Sequence, residues 1–179
     1  MSRDLVALVR HLPTDVPPGH CYGRLDLPPG DAADPAPVLA ALRGFSVRRL
    51  VSSPARRCRA LAETIGGALG ARVELDGRLQ ELDFGAWEGL AWEVVPREAL
   101  DDWAADPWGF APPGGESGAG LVGRVRAFHA ELRAGAVVVS HGGPLKVLAA
   151  LLGGRAVDLL APAPPLGSVC VMARREPEV

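Results

Sequence analysis

The stretch LVALVRH, Leu5 to His11, is the one on which the fold turns. Leu5 to Val9 is an apolar run that reads as a short buried strand, and Pro13, two residues past His11, stops any continuing ladder or helix. Arg10 and His11 therefore stand at the carboxyl end of a strand, where open α/β sheets place their ligands. Alone, the dipeptide reads more readily as surface detail, an arginine in an ion pair beside a histidine in a loop, than as chemistry. It acquires chemistry only with partners.

Working outward, the same arrangement recurs at AVVVSHGG, Ala136 to Gly143. Ala136 to Ser140 is a continuous apolar run of the kind buried on both faces, it ends in His141-Gly142-Gly143, and a helix over Pro144 to Leu152 follows. If the two strands are neighbours and parallel, both histidines emerge at one edge of the sheet. A third strand, Val47 to Val51, ends in Ser52-Ser53-Pro54, and the spacing after it predicts a helix with a serine cap, Pro54 at its first position and its end within Gly66 to Gly70. Arg57 falls in the first turn of that helix, where free N–H groups and the positive end of the helix dipole favour anions. Arg56 and Arg59 lie on other, solvated faces.

The remaining elements are a helix over Ala36 to Leu42, a strand over Arg72 to Leu75, helices over Trp92 to Trp103 and, after Ser117, over Leu121 to Leu132, a Pro-rich connection over Leu159 to Pro165, a last strand over Val169 to Ala173 and a charged, frayed terminus. There is no internal repeat. Two loops stand out. The first, Leu12 to Pro35, is dense in Pro and Gly and carries Tyr22 and Arg24 around Gly23, placed either to face a ligand or to pack the loop onto the body. The second, LQELDFGAWEGLAW, sets Glu81, Asp83 and Glu88 among Phe84, Trp87 and Trp92, where desolvation favours the protonated form of a carboxyl and suits one of them to donate a proton. The residues do not choose among the three acids. His129 reads as an ordinary helical residue and His20 as a loop residue.

At 179 residues the chain suits one domain, able to bury roughly 70% of the surface its unfolded form exposes. A net charge of −2 with scattered arginines gives no footprint for nucleic acid, and no run reaches the ~20 apolar residues of a membrane span. The opening MSRDLVALVRH lacks the apolar run and small-residue cleavage site of a signal peptide. Cys21, Cys58 and Cys170 are odd in number and far apart, which suggests neither a disulfide framework nor a zinc site and fits a reducing, cytoplasmic setting.

Two histidines and two arginines at strand ends and a helix start form a donor-only cluster that is costly to assemble unless an anion sits among them. Phosphoryl fits: arginine forks match its oxygens, and a neutral imidazole can attack phosphorus to give a phosphohistidine that water hydrolyses. The scheme calls for no metal or other cofactor, and the sequence offers no aspartate cluster for one.

Five motifs in order then carry a family resemblance. Arg10-His11, Ser52-Ser53-Pro54-Ala55-Arg56-Arg57, the Glu81 to Gly89 run (E-x-x-F-G-x-W-E-G), Pro113 to Ser117 (P-G-G-E-S) and Ser140 to Gly143 (S-H-G-G) are similar to the signatures of histidine phosphatases of the phosphoglycerate mutase-like superfamily. The resemblance implies a three-layer α/β fold with a mainly parallel central sheet and helices on both faces. It also implies His11 as nucleophile, Arg10, Arg57 and His141 as phosphate ligands with Gly142 beside them, and Glu81 as general acid. The loop His20 to Pro28 resembles the C-Y-G-R-x-D-x-P segment of α-ribazole phosphatases of cobalamin assembly, which brings Tyr22 and Arg24 in as substrate contacts. Two positions depart from the family: Leu12 replaces the usual glycine after the histidine, and Pro17 an asparagine. The expected activity is removal of phosphate from a small phosphate monoester, α-ribazole 5′-phosphate first. Alternatives are a broad-specificity metabolite or phosphohistidine phosphatase and a phosphate-binding domain without turnover.

Overall fold

The computed structural model describes residues 4–174. The expected charged terminus, from residue 175 on, lies outside them. Strand β1, Leu5–Arg10, is buried through Val9, and its residues alternate between two cores. Val6 and Leu8 face one, Ala7 and Val9 the other, so the unbroken apolar run is period-two patterning on a sheet covered on both sides. Four further strands complete the sheet: β2, Arg49–Ser52; β3, Val73–Leu75; β4, Ala136–Ser140; and β5, Val169–Ala173. Their order is β3-β2-β4-β1-β5, parallel throughout except for β5, which runs antiparallel along β1 as a largely exposed edge.

One face of the sheet carries α1, Ala36–Ala41, and α2, Arg56–Leu69, through Val38, Leu61 and Ile65. Between β3 and β4 come α3, Arg97–Ala105, and α4, Gly118–Glu131; α4 and α5, Gly142–Leu152, cover the opposite face through Val125, Phe128, Leu145 and Leu148. Three layers with a mainly parallel sheet result, as the resemblance implied. A third, smaller cluster of Cys21, Trp87 and Val95, with Phe84, Trp92, Trp103 and Phe110 against it, ties the two long loops together.

Register places the site. β1 and β4 pair in parallel with Arg10 opposite Ser140, so His11 and His141, the next residue of each chain segment, leave the sheet side by side. Ser52 pairs with Val139, which sends Ser53 to the same edge.

Several boundaries differ from expectation. No helix covers Trp92 to Pro96: Pro96 caps α3 from outside, and the Trp92 N–H is spent on the Gly19 carbonyl at 2.8 Å. Pro54 is not the first residue of α2, which begins at Arg56 because the Ala55 backbone is still extended (φ −57°, ψ 137°); the Ser53 hydroxyl accepts from the Ala55 N–H at 3.4 Å and from His141 rather than capping the helix. The Arg56 N–H is instead accepted by Asp26 at 2.8 Å, so a carboxylate already occupies part of that helix start. β2 begins at Arg49 rather than Val47, since the Arg48 and Arg49 N–H groups both turn to the Gly135 carbonyl. α5 begins at Gly142 rather than Pro144, which puts Gly142 and Gly143 in its first turn.

Candidate active site

The His11 ring is almost wholly buried, and its Nδ1 lies 2.7 Å from the Leu12 carbonyl. A carbonyl only accepts, so Nδ1 carries the proton and Nε2 keeps its lone pair, toward which Arg57 Nε donates at 3.4 Å. Burial, then the nearby Arg57 and Arg10 charges, lower the His11 pKa from 6.5 to about 3 against the opposing effect of the Leu12 bond. The ring is neutral at physiological pH. Leu12, which departs from the family pattern, packs its side chain into the α1/α2 core while its carbonyl fixes this tautomer.

His141 sits with its ring centroid 5.2 Å from that of His11. Its Nδ1 accepts from Arg57 Nη2 at 3.1 Å, which leaves the proton on Nε2 to be donated to Ser53 Oγ at 2.8 Å. Burial first, then Arg57, push its pKa well below the ordinary value. Arg57 is fully buried and holds both rings while also donating to the carbonyls of Gly23 at 2.6 Å and Leu25 at 2.8 Å. The guanidinium of Arg10 reaches the Pro164 carbonyl, and its buried Nε has no hydrogen-bond partner among the described residues. A cationic crevice with an unpartnered donor is suited to an anion.

The three acids left open by the sequence separate by what they touch. Glu88 accepts four backbone N–H groups, from Gly23, Arg24, Leu25 and Phe84, at 2.8 to 3.0 Å. It is the clasp of the Tyr22 loop. Asp83 caps the Gly85 N–H at 2.9 Å and faces Arg24 at 3.6 Å. Glu81 alone of the three reaches the histidine edge: its carboxylate accepts from the Gly143 N–H at 3.1 and 3.2 Å at the start of α5. A Cβ on Gly143 would lie 2.3 Å from Glu81 Oε1, so only glycine admits this approach. Gly23 is constrained likewise, since a Cβ there would meet the Leu82 carbonyl at 2.0 Å.

Arg10, His11, Arg57, Glu81, His141 and Gly142 thus converge. Tyr22 lies with its ring 5.3 Å from the Arg57 guanidinium, packing over it. Arg24 points into the crevice wall but is shared among Asp83, Glu116 at 3.3 Å and the Glu81 carbonyl at 3.4 Å. His20, whose Nδ1 lies 3.1 Å from the Pro17 carbonyl, and His129, in the last turn of α4, stand apart. Arg124 escaped sequence reading. From α4 it grips Glu116 with both ends of its fork, at 2.8 and 2.9 Å, and donates to the carbonyls of Arg78, Gln80 and Glu81 at 2.7, 2.6 and 3.0 Å. The segment that presents Glu81 is therefore held by one guanidinium, and by Ser140 Oγ donating to the Leu79 carbonyl at 2.7 Å. An arginine on a solvated-looking helix carries no local sign of that task. Among the described residues, no group of three or more His, Cys, Asp or Glu is placed to hold a metal ion, and no helix is long and apolar enough to cross a membrane.

A doubly covered, mainly parallel sheet whose carboxyl edge presents two neutral histidines and two arginines defines the class of protein. The chain belongs to the histidine phosphatase superfamily (branch 1), whose family model matches residues 6–177. It is 38% identical over 122 residues to the bifunctional protein Rv2228c of Mycobacterium tuberculosis, a match that takes in 62% of this chain and 34% of that protein, so the chain spans about a third of the length of this curated relative. To a glucosyl-3-phosphoglycerate phosphatase of Mycobacterium tuberculosis it is 31% identical over 169 residues, 84% of this chain and 75% of that one. The native structure of the mycobacterial glucosyl-3-phosphoglycerate phosphatase superposes with a TM-score of 0.80 at 26% identity, over 94% of this chain and 89% of that one. TTHB049 from Thermus thermophilus superposes with a TM-score of 0.72 at 30% identity, over 93% and 92%.

Proposed function

We propose that the chain is a single-domain, metal-independent phosphomonoesterase working through a phosphohistidine, with His11 as the nucleophile. The observation that carries this reading is the tautomer: with Nδ1–H bound to Leu12 and Nε2 bare, the ring is ready to attack without first losing a proton. Arg10, Arg57, His141 and the Gly142 backbone hold the phosphoryl oxygens as charge redistributes. His11 Nε2 bonds to phosphorus, the bond from phosphorus to the ester oxygen breaks, and the protonated Glu81 carboxyl gives its proton to the departing alcohol. Water then attacks the phosphohistidine, Glu81 takes a proton back, and inorganic phosphate leaves. A pocket that only bound phosphate would need neither a bare nucleophile nor an adjacent carboxylate.

The substrate is a small phosphorylated metabolite. α-Ribazole 5′-phosphate is supported by the Cys21 to Pro28 segment, whose carbonyls hold Arg57. Glucosyl-3-phosphoglycerate is the second candidate, supported by the relative that is 31% identical. Three unpaired cysteines fit a reducing compartment, and the cytoplasm is the proposed location. The test is turnover of a panel of phosphate monoesters containing both candidates, in excess EDTA, with alkaline quench to trap phosphoenzyme. Turnover and an acid-labile, alkali-stable phosphate that His11→Ala abolishes are expected. Strict metal dependence, or near-normal turnover in that variant, would sink the reading.

A further inference from the structure

We propose that the hollow on the α4/α5 side of Glu81 receives the alcohol portion of the substrate and selects an uncharged group with a flat apolar face. This rests on the phosphatase reading above and deepens it. Glu81 lines two hollows. One, about 270 Å³, is polar and is shared with His141, Arg24 and Asp26. The other, about 340 Å³, is walled by Phe84, Trp92, Trp103, Leu121 and Leu159, and its lining includes Arg10 and Gly142, the neighbours in sequence of the two histidines. An ester with phosphorus at His11 and its leaving oxygen at Glu81 has its carbon skeleton free to enter this second space, where apolar area leaves water.

The ring geometry favours a flat guest. Trp92 and Trp103 lie with planes 3° apart and centroids 6.2 Å apart, and Phe84 stands edge-on to both at 5.6 and 5.9 Å. The charge inventory disfavours a second anion. Apart from Arg10 and Glu81, the one charged side chain among the described lining residues is Lys146, and its ammonium donates to the Leu159 and Ala161 carbonyls, each at 2.8 Å. That lysine straps the 159–161 segment against α5 and so fixes Leu159 as a wall. A carboxylate or second phosphate carried on the alcohol would be desolvated among aromatic rings, where, with Arg10 turned to the phosphoryl group, the third N–H of Lys146 is the one charged donor left to meet it.

Propyl, 3-phenylpropyl and 3-carboxypropyl phosphate have leaving oxygens of similar acidity and ask the same of Glu81, so their kcat/KM values isolate the hollow. The phenylpropyl ester should exceed the propyl ester by at least about tenfold, and the carboxypropyl ester should fall below it. Trp103→Leu should pull the phenylpropyl-to-propyl ratio toward one and Trp103→Phe should restore most of it; if Trp103→Leu does not fold, the ranking in the unaltered protein decides alone. A ratio near one, or a preference for the carboxypropyl ester, overturns the hollow's role and leaves the phosphatase reading standing. No turnover of these esters or of p-nitrophenyl phosphate overturns that reading instead, and the hollow is then judged by tryptophan fluorescence with 3-phenylpropylphosphonate. Saturable quenching supports the proposal and its absence overturns it.

Discussion

At His11 the imidazole is held neutral by burial and by two guanidinium groups, with a pKa of about 3, and His141 is shifted in the same direction. The consequence for stability follows from proton counting. Above the ordinary value of 6.5 neither folded nor unfolded chain binds these protons; below it the unfolded chain takes up protons that the folded one refuses, so stability falls as pH falls from 6.5 toward about 3. For His11 alone the loss between pH 6.5 and about pH 5 is about 2 kcal/mol. Urea unfolding in phosphate-free buffer at those two pH values should reveal it, and His11→Asn should lose about 2 kcal/mol less than the unaltered chain. Equal losses would mean that the buried ring takes up its proton. Glu81 invites a different measurement. Glu81→Gln keeps the volume and one acceptor for the Gly143 N–H but has no proton to give, so alkyl phosphate turnover should drop by about 10²- to 10⁴-fold. Turnover of p-nitrophenyl phosphate, whose leaving oxygen needs no proton, should drop far less; equal losses would remove the proton-donor role from Glu81.

At the scale of elements, β1 and β4 were legible because both faces of each strand are buried, and Ala136–Ser140 and Val169–Ala173 have the boundaries their apolar patterns imply. Strand ends followed by histidines were therefore readable addresses. What local pattern could not supply was anything decided by a partner far along the chain. Trp92 to Pro96 has helix-compatible residues, yet its backbone is claimed by the Gly19 carbonyl and stopped by Pro96. Choosing Glu81 over Glu88 needed the knowledge that Glu88 is consumed by N–H groups from Gly23, Arg24 and Leu25, more than sixty positions away. The Arg124 clamp is of the same kind, spanning from α4 to the carbonyls of residues 78, 80 and 81. Its removal makes a prediction about positioning. Arg124→Met should lower kcat for alkyl phosphates by about 10- to 100-fold, with a smaller effect on p-nitrophenyl phosphate, because the chain segment presenting Glu81 loses its anchor. Arg124→Lys keeps the charge but not the fork and should rescue only part of the loss. A uniform loss with both substrates, tracking a lower melting temperature, would make Arg124 a scaffold residue and nothing more.

For the molecule as a whole, the sheet order gathers charge that the chain would otherwise keep apart. β1 and α2, which follows β2, bring Arg10 and Arg57 to a common edge, and the folded protein carries a fully buried guanidinium beside two neutral imidazoles and the unpartnered Nε of Arg10. Such an arrangement is under like-charge and desolvation strain that an anion relieves, so the folded state should bind phosphate while the unfolded chain, with these groups dispersed, does not. Linkage then gives a measurable size. At a phosphate concentration one hundred times Kd the folded state gains about 2.7 kcal/mol. For a chain of this length that corresponds to a rise in melting temperature of about 5–10 °C. Sodium chloride at the same ionic strength supplies screening without a tetrahedral anion and should produce a much smaller rise, since the groups concerned are buried and salt screens them weakly. Scanning calorimetry at fixed pH with graded phosphate separates the two. A phosphate curve that saturates identifies a site, whereas one that coincides with the chloride curve would mean that the crevice holds its cations against the surrounding carbonyls alone and is not built for an anion.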